Sequence, residues 1–320
     1  MRAAPDRISP ARSLDGLKWE DDSSKATMTR PIRPTAFLIA LWLSGCASPD
    51  VMTSAKNAYQ LGNYTKALKL WKFAAAKGDP KAIANVAGLY EDGKGVQKNL
   101  AEAVRWYRLG IDKGSEWAAN DLGYLYTQGK GVPKDYTEAL RLFRISADKG
   151  YAPGQNHMGD MYRSGLGVTK DLTEAARWYH LAADQGLDFA QYSLGLSYFN
   201  GEGVPEDKAE AVRYFQMAAQ KGHDGAQGFL AYCYDAGDGV AKNMDEAVKW
   251  YRLSAEQNNP ISQRNLGLLY LQSDGLKKDT VEGERLLWLA AAQGDKVALE
   301  ALQDLEIEQP REYEFTSGVT

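Results

Sequence analysis

Two cysteines, Cys46 and Cys233, are all that this 320-residue chain contains, so the disulfide framework that staples small secreted domains is excluded. Histidine is nearly as scarce: His157, His180 and His223 are the full set. No nucleophile stands beside a base, and no general acid faces a general base, so an enzyme is not expected. Long hydrophobic runs are missing too. The longest, Ala36 to Leu43, falls far short of the ~20 apolar residues that a membrane-spanning helix needs. Nor does one sign of charge dominate, since 38 basic residues face 42 acidic ones for a net charge of −4. Without a basic patch, nucleic acid is an improbable partner.

Glycine and tyrosine, by contrast, are plentiful and periodic. Gly78, Gly114, Gly150, Gly186, Gly222 and Gly294 lie 36 residues apart or at multiples of that, with Asn258 in the one vacant slot. Tyr90, Tyr126, Tyr162, Tyr198, Tyr234 and Tyr270 keep the same period, as do the Gly-x-Gly-Val stretches beginning at Gly93, Gly129, Gly165, Gly201 and Gly237. Self-similarity at this spacing marks an array whose units must stack to bury their apolar faces.

Each unit reads as helix, loop, helix. In the unit starting at Ala118, Leu122, Leu125 and Tyr126 fall on one helical stripe. Gln128-Gly129-Lys130-Gly131-Val132-Pro133 then interrupts it, because glycine tolerates positive φ and proline cannot continue a helix. A second helix opens at Asn99, Asp135, Asp171, Asp207, Asn243 and Asp279, each with Glu three residues later. That spacing predicts capping boxes, each contributing about 1 kcal/mol. The second helix buries Ala139, Leu142 and Phe143 and their equivalents, including Trp106, Trp178 and Trp250, whose register predicts packing between helices. It closes on a cation and a glycine, as in Lys149-Gly150, suiting both the helix dipole and a left-handed final residue.

These residues resemble the Sel-1-like repeat, a longer-looped relative of the tetratricopeptide repeat. The small residues Ala87, Gly123, Gly159 and Gly195, the Tyr-x-x-Gly-x-Gly-Val loop and the closing Ala-Ala-x-x-Gly carry the likeness. The expected fold is all-α: a right-handed α-solenoid of about seven helix-loop-helix repeats over residues 52–302. The first unit, Asn57–Gly78, has only a short Gly62-Asn63 turn and suits an N-terminal cap. The last carries Ser273-Asp274-Gly275-Leu276 in place of the loop, and residues 303–320 read as a polar tail.

The N-terminus has its own pattern. Arg30 and Arg33 precede the apolar run, and Leu43-Ser44-Gly45-Cys46 follows. The ending resembles a bacterial lipobox, which implies a signal peptide over 28–45, lipidation of Cys46 and a short linker over 46–51. Residues 1–27 read as an upstream extension, with Met28 the expected initiator. Removing residues 1–45 takes away seven basic and five acidic residues and leaves 31 against 37. Ala47 and Ser48 follow the cysteine without an aspartate, which by analogy with lipoproteins favours the outer membrane, facing the periplasm. Cys233 shares a position with Leu89, Leu125 and Met161 and is expected to be a buried thiol.

No cofactor is expected. The Gly-x-Gly loops lack the Lys-Ser/Thr of a phosphate cradle, and His180 with Asp184 reads as solvated surface. Where the units differ from one another is more informative. The fourth residue of the first helix varies (Asn85, Asp121, His157, Ser193, Phe229, Asn265), and so does the seventh (Gly88, Tyr124, Asp160, Leu196, Tyr232, Leu268). Because first helices line the concave groove in the resembled families, Asp121, Tyr124, His157, Asp160, Leu196, Phe229, Tyr232 and Leu268 form the candidate partner-binding groove. It should be acidic at one end and apolar at the other. Asp121, His157 and Asp160 match metal ligands in type, but solvated polar clusters are commoner, and no metal is expected.

The resemblance implies a non-enzymatic adaptor or scaffold that binds a protein or peptide partner while lipid-anchored in the bacterial cell envelope. An envelope enzyme or β-lactam-binding protein, and a cytosolic repeat adaptor, are the alternatives.

Overall fold

The computed structural model describes residues 49–272 and 278–305. The proposed signal peptide, Cys46 and the Ser273–Leu276 loop lie outside the described residues. The chain divides into two units, Met1–Ser44 and Gly45–Thr320, and every described residue belongs to the second.

That second unit holds fifteen helices and no strand among the described residues. First helices are α1 (Pro49–Gln60), α3 (Pro80–Asp92), α5 (Glu116–Gln128), α7 (Ala152–Ser164), α9 (Asp188–Asn200), α11 (Asp224–Ala236) and α13 (Pro260–Gln272). Second helices are α2 (Tyr64–Ala76), α4 (Leu100–Asp112), α6 (Tyr136–Asp148), α8 (Leu172–Asp184), α10 (Lys208–Gln220), α12 (Met244–Glu256) and α14 (Thr280–Ala292). Each helix packs on the one before it and the one after it, giving an α-solenoid of seven pairs. A lone α15 (Lys296–Asp304) covers α14 and carries helix two residues past position 302. At the other end α1 begins at Pro49, inside the stretch read from sequence as linker.

Local chemistry sets the helix ends. The first helices α3, α5, α7, α9 and α11 stop at Gly93, Gly129, Gly165, Gly201 and Gly237, all left-handed, with φ between 68° and 80°. Asn258 fills the vacant glycine slot and takes φ 64°, a conformation that asparagine tolerates better than most residues. The capping box forms only by half. Asn99, Asp135, Asp171, Asp207, Asn243 and Asp279 each accept from the amide three residues on. Their own amides, however, donate to the carbonyls of Tyr90, Tyr126, Tyr162, Tyr198, Tyr234 and Tyr270. The glutamates three residues later are thereby released. They pair instead with a cation one turn on, as Glu138 does with Arg141 at 2.7 Å, or receive the indole N–H of Trp106 and Trp250 at 3.0 Å.

Five of the seven repeats each contribute one buried aromatic ring to the joints between repeats: Tyr107, Phe143, Tyr179, Phe215 and Tyr251, each at most 2% exposed. The ring lies against a small residue of its own first helix, Gly123, Gly159 or Gly195, where nothing larger fits. A Cβ added at Gly159 would sit 2.5 Å from Tyr179 Cε1. On its far side the same ring meets the next repeat. Phe143 stacks on His157 at 4.5 Å, and Phe215 stacks on Phe229 at 5.3 Å. Burying such a ring stabilises by about 1.5–3 kcal/mol.

Polar clasps follow the same period. Lys72, Arg108, Arg144, His180 and Arg252 bond the hydroxyls of Tyr90, Tyr126, Tyr162, Tyr198 and Tyr270 at 2.8–3.2 Å, each eighteen residues on. His180 is therefore a clasp to the next repeat, not the solvated partner of Asp184. Lys149 and Lys221 reach back to the carbonyls of Gly114 and Gly186. Gln185, Gln257 and Gln293 donate instead to the buried carboxamides of Gln155, Gln227 and Gln263 at 2.7–2.8 Å.

Candidate functional site

Within a layer, the helices that touch across repeats are first helices, α3 with α5 and α5 with α7. Crowding of that kind identifies them as the inner layer. Several positions on these helices differ from repeat to repeat while the packing stays the same.

The structure divides the candidate residues by depth. The seventh-position side chains Tyr124, Asp160, Leu196, Tyr232 and Leu268 are half-buried on the inner face. The fourth position turns sideways toward the ring of the preceding second helix, fourteen residues earlier. Phe229 is half-buried against Phe215, and Asn265 donates to Tyr251 Oη at 3.2 Å. His157 goes further and is buried at 8% exposure, its Nδ1 2.9 Å from Asn120 Oδ1. Burial holds its pKa down at about 4, so it is neutral near pH 7. Its ring is committed to Phe143 and Asn120, and no group of three His, Cys, Asp or Glu side chains that could hold a metal occurs among the described residues. Cys233 is fully buried, with its thiol pushed up to about 12 by burial.

Sequence reasoning overlooked the third and tenth positions, which frame the seventh at helical spacing. At the acidic end these include Glu91, Asn120, Thr127, Asn156 and the cation Arg163, and at the apolar end Tyr192 and Phe199. The spacing Tyr192, Leu196, Phe199 was the available signal. Tyr192 lies 5.9 Å from Phe229, and Phe199 lies 6.1 Å from Phe229 and 6.2 Å from Tyr232, ring centre to ring centre.

The acidic end is electrostatically unusual. Tyr107 Oη donates to Glu91 at 2.8 Å, and Asn120 Nδ2 donates to Asp121 at 3.1 Å. Asp160 accepts from Tyr179 Oη at 2.7 Å and Asn156 Nδ2 at 3.2 Å, with Arg163 at 3.9 Å. Burial raises the pKa of all three carboxyls. Asp121 reaches about 7: burial dominates, the Asn120 bond opposes it, and the Glu91 charge adds to it.

Comparison with known proteins supplies the context. The Sel1 repeat profile matches residues 58–79, 80–115, 118–151, 152–187, 188–223, 225–259 and 260–295. A Sel1 repeat protein from Oxalobacter formigenes superposes with a TM-score of 0.68 at 32% identity, over 76% of this chain and 97% of that one. A protective antigen of uropathogenic Escherichia coli displaying an SLR fold gives 0.67 at 31% identity, over 82% of this chain and 58% of that one. The ERAD-associated E3 ubiquitin-protein ligase component HRD3 of Candida glabrata is 34% identical over 95 residues. That match takes in 29% of this chain and spans only 11% of the relative.

Proposed function

The chain belongs to the Sel1 repeat family, and from that premise we propose that it is a non-enzymatic adaptor, tethered to the bacterial envelope through Cys46, that holds a protein partner on its inner face. Sel1 repeat arrays are protein-interaction scaffolds, and solenoids of this kind present extended surfaces to partners. The observation that carries the reading is the separation of roles along each first helix. Alanine, glycine, leucine and tyrosine positions repeat faithfully and pack, whereas the third, seventh and tenth positions change character from repeat to repeat and line the inner face.

Support for the tether is the order of Arg30 and Arg33, the apolar run and Leu43-Ser44-Gly45-Cys46. Acyl chains at about 0.8 kcal/mol per buried methylene, two or more together, hold a protein on a membrane stably. Two experiments test the two parts separately. Cross-linked capture from membranes should recover a defined partner with the native chain and lose it with Phe229→Ala/Tyr232→Ala at matched helicity. Capture that is indifferent to those changes overturns the inner-face assignment. Mass spectrometry of the membrane-associated protein should find acylated Cys46 at the N-terminus, and Cys46→Ala should release the chain from the membrane. An unmodified Cys46 overturns the tether.

A further inference from the structure

Resting on that reading and narrowing it, we propose that the segment held on the inner face is an extended peptide with an arginine or lysine toward the α3–α7 end and an aromatic side chain toward the α9–α11 end. The two ends of the face make opposite demands on an occupant. Glu91, Asp121 and Asp160 project from three consecutive first helices, and their close partners are the neutral donors Tyr107, Asn120, Asn156 and Tyr179. Such donors orient a carboxylate without cancelling its charge. Among the described residues neither Glu91 nor Asp121 forms an ion pair, and Arg163 stands at the outer limit from Asp160 at 3.9 Å.

A second observation concerns the carboxamide that supports one of these carboxylates. Asn156 is 9% exposed, and its Nδ2 is taken by Asp160. Its Oδ1 has no hydrogen-bond partner in the structure, and a buried acceptor left unpaired costs about 1–3 kcal/mol. Three carboxylates and a bare carboxamide oxygen stand here against one adjacent guanidinium, Arg163, with Lys98 and Lys130 acting on Glu91 without an ion pair, so the acceptors in excess call for a further cation rich in N–H donors. A guanidinium meets that need best.

The opposite end supplies apolar and aromatic surface from Tyr192, Leu196, Phe199, Phe229 and Tyr232. It also carries its own cation. Lys208 Nζ lies 5.3 Å from the Phe199 ring centre and is held by Asp238 at 3.2 Å. Asp238 is thereby already neutralised by Lys208, so an incoming cation gains less at this end than at the carboxylates of α3, α5 and α7. Two to three repeat steps separate Asp160 and Asp121 from Phe229 and Tyr232. At about 8–10 Å per step, the interaxial distance of packed helices, that is roughly 16–30 Å, or about five to nine extended residues.

The full chain can be titrated calorimetrically with three synthetic peptides at low salt. One carries arginine and tryptophan separated by about seven glycine and serine residues, one has glutamate for arginine, and one has alanine for tryptophan. A buffer of about pH 8 keeps Asp121, which titrates at about 7, charged. The arginine–tryptophan peptide should bind about tenfold or more tightly than either control. Glu91→Gln/Asp121→Asn, isosteric changes that preserve the fold, should abolish the preference for arginine over glutamate, and Phe229→Ala should weaken every tryptophan peptide. Equal binding of the arginine and glutamate peptides, still sensitive to Phe229→Ala, overturns the cationic occupant and leaves the groove intact. Binding that ignores both variants overturns the groove itself, and absence of binding by all three peptides overturns the proposal.

Discussion

The acidic end of the inner face and its aromatic end are built on the same frame. Ala118, Leu122 and Leu125 pack α5 as Ala190, Leu194 and Ser197 pack α9. Phe143 fills the slot at Gly123 as Phe215 fills the one at Gly195. What differs lies mainly at the third, seventh and tenth positions, with Glu91 and Asp160 at one end and Tyr192, Leu196, Phe199 and Tyr232 at the other, while the fourth position, Asp121 at one end and Phe229 at the other, varies beside the joining ring itself. A repeat array can therefore change its surface without renegotiating its core. The chemistry of the two ends can be altered separately, while damage to the frame should cost the same at either.

The largest effect should come from striking that shared frame. Leu122 and Leu194 are 2% and 0% exposed, and burying an unpaired carboxylate costs several kcal/mol or forces its protonation. Leu122→Asp and Leu194→Asp should thus destabilise by about 3 kcal/mol or more. Hydrogen exchange should show loosening centred on the mutated repeat and its neighbours, since each unit touches only adjacent ones. Uniform loosening from α1 to α14 would show that the two ends are not energetically separate.

Next in size is the loss of an aromatic side chain. Phe229→Ala removes a half-buried ring stacked on Phe215 and near Tyr192 and Phe199, and should lower stability by about 1–2 kcal/mol, below the range for a fully buried phenylalanine. Leu268→Ala, further along the face, should cost less. Equal losses in denaturant titration would mean that the aromatic end is a uniform apolar strip rather than a cluster.

A pH titration separates the ends by charge. Asp121 in the folded chain titrates at about 7, above its ordinary value of 3.8, so the folded state holds a proton that the unfolded state gives up. Its contribution to stability is present at low pH and is lost as pH rises from about 4 to about 7. The difference in stability between wild type and Asp121→Asn should shift against wild type across that window. Comparing the two chains cancels the opposing titration of His157, whose pKa is lowered to about 4. A difference that stays flat with pH would place the Asp121 carboxylate in open solvent.

The smallest effect concerns the outer clasp. Gln191 is 1% exposed, and its Oε1 lacks a partner, because the place held by Gln185, Gln257 and Gln293 in other repeats is taken by Lys221. Lys221→Gln should supply the missing donor and stabilise by about 0.5–1 kcal/mol, the usual net worth of one hydrogen bond. A lower melting temperature would show that the bond from Lys221 to the Gly186 carbonyl is worth more.

Much of this architecture was legible in the chain. The period of 36 residues, the glycines that end the helices and the Asp or Asn caps of the second helices all encode events within a few residues of each other. Asn258 illustrates the point: its slot in the period predicted a left-handed residue, and it has one. Within the candidate site the gradient from acidic to apolar was also legible. The depth of each side chain was not. Positions four and seven looked like one face by helical spacing, yet His157 and Phe229 turn toward Phe143 and Phe215. Glu91, Asn156 and Phe199 went unremarked although helical spacing places them beside the seventh position, because spacing alone does not say which neighbours of that position stay clear of the core.

By itself, then, the sequence determined the units: thirteen-residue helices, their caps, their left-handed ends and the stripe each must bury, since those depend on local dihedral preference and hydrogen bonding over one or two turns. Only the tertiary structure decided how the units hold one another and how deeply each polar group is buried. Each capping-box glutamate was released to a cation because the cap amide is taken by the tyrosine carbonyl at the far side of the loop, and His180 became a clasp because Tyr198 of the next repeat stands within reach. His157 was drawn under the surface by a ring from the preceding repeat. The cap contact spans nine residues within one repeat, but the other two join residues fourteen to thirty-seven positions apart, and their geometry is set by the stacking of the helices, which no single repeat contains.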